Sequence, residues 1–196
     1  MKKIFLILIL ILSFHSWINA NEINEFEIEG MSVGESLLGH MDEASIKEAI
    51  NNEFAYFYEK DFVSISTWSI RDKFEIYDDV GVVIDRNDKK YNIYGLEGSL
   101  YLEDNEIEKC HKKQKEISTE IQNSLDLNSK GNTYFISENR LAKHIKSIKY
   151  IDFDLNNNGV IRVACFEIIK GVQKNSDVNV LYVIVNSPLF WKYLDN

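Results

Sequence analysis

The chain has 196 residues, 45% of them hydrophobic, and a formal charge of −9. That length suits one ordinary domain or two small packed halves, with enough apolar material for a real core. An acidic surface repels nucleic-acid phosphates and anionic lipid headgroups, which argues against both as partners.

Met1 to Ala20 has the three parts of a secretory signal: Lys2 and Lys3, an apolar run from Ile4 to Phe14, and a weakly polar segment ending at Ala20. The run falls short of the ~20 apolar residues that cross a bilayer, so cleavage and export are expected rather than a membrane anchor. Ile18 is larger than the small residue preferred near a cut, which leaves the cleavage position open, and no cysteine ends the run to accept a lipid. Without Lys2 and Lys3, 20 basic residues face 31 acidic ones, a mature charge of −11. The expected location is the periplasm or the outside of the cell. No transmembrane helix is expected in the mature chain of residues 21–196.

Asn21 to Ile28 reads as an extended lead-in. Ser32, with Glu35 three positions on, has the form of a reciprocal helix cap, so a short helix should follow and end at Gly39. Asp42 can cap a second helix through about Glu53, with Ala44, Ile46, Ala49 and Ile50 on its apolar side.

The run Glu27-Ile-Glu-Gly-Met-Ser-Val-Gly-Glu-Ser-Leu-Leu38 resembles the opening of a group of small exported bacterial proteins, which carry an Ile-x-Gly-Met-Ser-x-Gly-x-Ser-Leu segment after the leader. More distantly, the order helix, helix, three strands is similar to the small outer-membrane assembly lipoproteins and the β-lactamase-inhibitor-protein-like domains. Their first helix opens with a comparable Gly-Met-Thr/Ser segment. This chain lacks the lipoproteins' anchor cysteine, and no functional residue carries over. What the resemblance implies is an α+β scaffold for protein interaction rather than an active site.

From Phe54 to Leu102 the apolar period shifts towards two, the spacing of strands. Phe62 to Thr67, then Phe74, Ile76 and Tyr77 followed by Val80 to Ile84, and Tyr91 to Tyr101 fit three antiparallel strands, the third bent or bulged near Gly95 and Gly98. Asp104 to Leu127 is a long helix whose Ile107, Cys110, Gln114, Ile117, Ile121 and Leu125 share one side. Asn105 with Glu108 forms its expected cap, and the stretch from Leu127 to Asn132 its expected stop. Three further strands follow, around Ile148 to Phe153, Val160 to Ile169 and Val178 to Asn186, with a polar loop from Lys170 to Asp177. Ser187-Pro188 then opens a short helix docked by Leu189, Phe190, Tyr193 and Leu194. The fold class is therefore α+β with antiparallel sheet, as one domain or as two similar halves, 29–102 and 104–196.

Cys110 and Cys165 are expected to pair, because exported chains meet an oxidising compartment. Cys165 shares a strand face with Ile161 and Val163, the face that a covering helix meets. The alternatives are two buried free thiols or redox chemistry, though a Cys-x-x-Cys arrangement is lacking. Asp154, Asn156 and Asn158, followed by Gly159, match the first half of a calcium loop. However, Cys165 stands where the bidentate Glu belongs, and Asn157-Asn158-Gly159 is equally a hairpin turn, the reading we favour. No catalytic residue, metal ligand or cofactor is assigned. No serine lies in a Gly-x-Ser-x-Gly turn, and Gly95-Leu-Glu-Gly98 lacks the lysine and the strand-to-helix setting that phosphate binding needs.

The expected function is a non-enzymatic binding module of the cell envelope, whose sheet face or edge contacts another envelope protein or a cationic ligand. The rival is a small hydrolase or metal-assisted enzyme with a site assembled from scattered residues, namely Asp152, Asp154, His111 and His144. A cavity joining these four would favour the rival.

Overall fold

The computed structural model describes residues 23–58, 61–102, 107–125, 131–137, 142–169 and 178–194. The leader, Asn105 with its cap, the stretch from Leu127 to Lys130 and the loop from Lys170 to Asp177 lie outside the described residues.

Glu27–Ile28 (β1) and Met31–Ser32 (β2) pair as a hairpin with Ile28 opposite Met31. Its two central residues, Glu29 and Gly30, both have positive φ (52° and 76°), the conformation that a two-residue turn of this twist requires. The Ile-x-Gly-Met run in the opening segment is thus a turn signature. The Ser32–Glu35 cap forms only in part. The Ser32 N–H donates to Glu35 Oε1 at 2.7 Å, but Ser32 stays in β2, and the short helix is a 3-10 turn, Leu37–Gly39. Ser36 caps that turn, because its hydroxyl is the one within reach of the Leu38 N–H. Asp42 caps α1 (Glu43–Ile50) as expected, accepting from the Ser45 N–H at 2.9 Å.

The main sheet has eight antiparallel strands: β3 (Tyr56–Phe57), β4 (Phe62–Ser66), β5 (Asp79–Asp85), β6 (Ile93–Leu102), β7 (Asn132–Ser137), β8 (Ile145–Asp154), β9 (Val160–Ile168) and β10 (Asn179–Asn186). Their spatial order is β3-β4-β5-β6-β10-β9-β8-β7. Two meanders, each preceded by a helix, therefore join through their last strands, β6 and β10. Each carries an edge strand, β3 or β7, beyond the three expected. The expected irregularity near Gly95 is present: Val83 faces Gly95 while Ile84 faces Ile93, so Tyr94 is the extra residue.

Strand alternation gives the sheet two unlike faces. One face, carrying Ile65, Val82, Leu96, Leu181, Val163 and Cys165, forms the main core under α2 (Ile107–Ser124), α1 and the β1–β2 hairpin. Cys110 and Cys165 are joined by a disulfide with Cα atoms 5.9 Å apart, which fastens α2 to β9. One turn further along the same helix face, buried Gln114 donates from Nε2 to the carbonyls of Lys149 and Val163, each at 2.8 Å. The second face is covered only in part. There α3 (Pro188–Leu194) sets Phe190 against Phe62, with ring centroids 5.2 Å apart, and beside Val83 and Tyr58.

Candidate functional site

The residues singled out in the sequence do not converge. Asp152 and Asp154 alternate with Ile151 and Phe153 on β8, so they point to the second face, away from α2. His111 follows Cys110 on α2, above the first face, and His144 precedes β8 in a turn. Asp152 is committed elsewhere: Arg162 donates to it through Nε at 2.7 Å and Nη2 at 2.8 Å. The same guanidinium lies over Tyr150 (4.1 Å to the ring centroid) and near Trp191 (5.3 Å), and Tyr134 stacks on Tyr150 in turn.

Asp154, Asn156 and Asn158 belong to the β8–β9 hairpin. The Leu155 N–H donates to Gly159 O, the Asn158 N–H donates to Leu155 O, and the Gly159 N–H donates to Asn157 Oδ1. Asn158 takes the left-handed conformation, φ 64°. The Asp154 carboxylate accepts from Asn132 Nδ2 at 3.4 Å, across to the neighbouring strand β7. No three His, Cys, Asp or Glu side chains among the described residues come together as a metal would need.

The site that sequence reasoning missed is a cavity of about 810 Å3 in the other half. Its floor is the second face of β4, β5 and β6, where register brings distant residues together. Gly81 stands between Ser66 on β4 and Glu97 on β6, and Asp79 stands opposite Ser99. Glu97 and Asp79 are therefore diagonal neighbours, Cα atoms about 7–8 Å apart in such a pair. Ser45, Glu48 and Ala49 of α1, with Asn52 just beyond it, line one side together with Ala55, and the exposed Phe54, Trp68 and Tyr101 line the mouth.

The two carboxylates differ. Asp79 accepts hydrogen bonds from Ser66 Oγ at 3.0 Å and from the Val80 N–H at 2.9 Å. Glu97, half-buried as a residue with its carboxyl group enclosed, accepts none among the described residues. Burial, and then the charge of Asp79, push its pKa up from 4.5 to about 7. Gly81 keeps the space above it open: a Cβ there would sit 3.6 Å from Glu97 Cβ and 3.7 Å from Ser64 Oγ. The signal in the sequence was an acidic residue within the apolar alternation of a strand, between Gly95 and Gly98. No protein-family model matches this sequence, and no curated protein or solved structure is detectably similar to it.

Proposed function

We propose that the protein is an exported, non-enzymatic binding module of the cell envelope, and that the cavity on β4–β6 takes a ligand bearing positive charge. One observation carries this reading. Among the described residues the cavity is lined by three carboxylates, Glu48, Asp79 and Glu97, and by no lysine, arginine or histidine. Such a lining attracts cations, and two neighbouring like charges are relieved by a bound one. Its volume falls within the range of small-molecule sites. Export is supported by the leader pattern and by the disulfide, which suits an oxidising compartment. The separation of His111 from Asp152 and Asp154 supports the module over the hydrolase.

A protein partner at the sheet edge is a second reading, favoured by β7, a six-residue edge strand with Tyr134 and Phe135 exposed. The first reading is tested by calorimetric titration of residues 21–196 with small amines. Saturable heat that is lost in the Asp79→Asn, Glu97→Gln double variant is expected, and its absence for every amine tried overturns the reading.

A further inference from the structure

We propose that the cation is an organic ammonium or guanidinium, with N–H donors on an apolar body, rather than a metal ion or a quaternary ammonium; this rests on the binding function proposed above. The cavity floor is rich in acceptors. Around the diagonal pair of Asp79 and Glu97 stand the hydroxyls of Ser64, Ser66 and Ser99, all on the same strand face. An N–H cation can donate to several of these acceptors at once, and hydrogen bonds to charged groups are the strong ones. A quaternary ammonium has no hydrogen to donate, so the same floor would be stripped of water without replacement bonds.

A quaternary ammonium prefers an aromatic cage. Trp68 and Tyr101 stand at the mouth, but Trp68 already carries a cation of the protein itself: the Arg71 guanidinium lies 4.3 Å from its ring centroid. That contact takes one face of the ring. A divalent metal asks for more charged oxygens than two diagonal carboxylates supply, and the third acid, Glu48, belongs to α1 rather than to the floor. Ala49 and Ala55 add apolar lining, with Phe54 at the mouth, and the volume of about 810 Å3 far exceeds what an ammonium group alone would fill. The geometry thus asks for a charged, donor-bearing head against Asp79 and Glu97 and a carbon body towards the mouth.

Three probes titrated into residues 21–196 at pH 7.5, benzylamine, benzyltrimethylammonium and calcium chloride, separate the possibilities. Benzylamine should bind saturably, and the trimethyl analogue at least about tenfold more weakly, the loss expected when a charge-assisted hydrogen bond is removed. Calcium should give no saturable heat. Glu97→Gln and Asp79→Asn should each weaken benzylamine about tenfold, while Asp154→Asn, outside the cavity, should leave it unchanged. The melting curve of each variant reports its folding. Equal or tighter binding of the trimethyl analogue, or saturable binding of calcium, overturns the inference and leaves the cationic site standing. Failure of all three probes removes the binding reading itself.

Discussion

The second face of the sheet holds acidic residues in both halves, and the two halves treat them oppositely. In the β7–β10 half, Asp152 is gripped by Arg162, whose guanidinium is covered by Tyr150 and Trp191. In the β3–β6 half, Asp79 and Glu97 stand beside a cavity that, among the described residues, no basic side chain lines. The charge of the chain divides the same way. Residues 21–102 hold 18 Asp and Glu against 7 Lys and Arg, while residues 103–196 hold 13 of each. The acidity of the protein is thus the property of one half, the half that holds the cavity. Solubility alone would not require such a division.

The largest expected effect concerns the stapled half. The disulfide closes a separation of 55 residues, which in the chain-entropy model is linked to about 4 kcal/mol. The Cys110→Ala, Cys165→Ala variant should melt roughly 10 °C lower by scanning calorimetry. Benzylamine affinity at 25 °C should not change, because the cavity lies in the other half. A melting point indifferent to loss of the disulfide would show that α2 is held by Gln114 and packing instead.

Next comes the ion pair of that half, Asp152 with Arg162. Arg162→Met leaves Asp152 buried without its partner, which costs about 3 kcal/mol for such a pair. Adding Asp152→Leu should restore most of that, since an apolar pair of similar volume suits the neighbouring rings. Urea unfolding of the single and double variants measures both. If the double variant is as unstable as the single one, the stacking of Arg162 on Tyr150 matters more than its charge.

The stapled half was the more legible in the sequence, for a physical reason. Cys110, Gln114, Ile121 and Leu125 recur at helical spacing, and Ile161, Val163 and Cys165 at strand spacing, so burial on one side wrote both faces into the sequence. Strand β7 escaped notice because it is exposed almost throughout, and Tyr134 and Phe135 in succession break the alternation. The cavity escaped for a different reason. Asp79 and Glu97 become neighbours only through the register that sets Gly81 against Glu97, and register between strands is not written in either strand alone. Close packing hid one more determinant: a Cβ at Gly98 would lie 2.6 Å from the Tyr77 ring, so that glycine is needed for space rather than for a bend.

The open pair makes the third prediction, and its sign follows from the raised pKa of Glu97. Between about 4.5 and 7 the folded protein holds a proton that the unfolded chain has lost, so stability falls as pH rises through that window. Glu97→Gln removes the penalty. It should stabilise the protein by roughly 2 kcal/mol at pH 8, allowing for partial access of solvent, and by nothing at pH 4. Equal effects at the two pH values would mean that Glu97 ionises freely and that the cavity is wetter than its lining implies.

The smallest effect provides the control within the same half. Glu29 is also a carboxylate without a basic partner in the hydrogen bonds it makes, but it accepts the backbone N–H groups of Glu75 at 2.9 Å, Ile76 at 2.8 Å and Tyr77 at 2.8 Å. Partial burial works to raise its pKa, and the three donors outweigh burial and hold it below the ordinary 4.5. Its linkage therefore has the opposite sign: the stability it contributes is present above about pH 4.5 and is lost as pH falls through its lowered folded value. Glu29→Gln should cost about 1 kcal/mol at pH 7, a modest figure because the group is largely exposed, and should cost least at the lowest pH that keeps the protein folded. Thermal melts of the Glu29 and Glu97 variants across pH should then run in opposite directions. The two acids in one half differ in burial and in whether the backbone already supplies their donors, and the one buried without donors is the one that a ligand's N–H groups can satisfy.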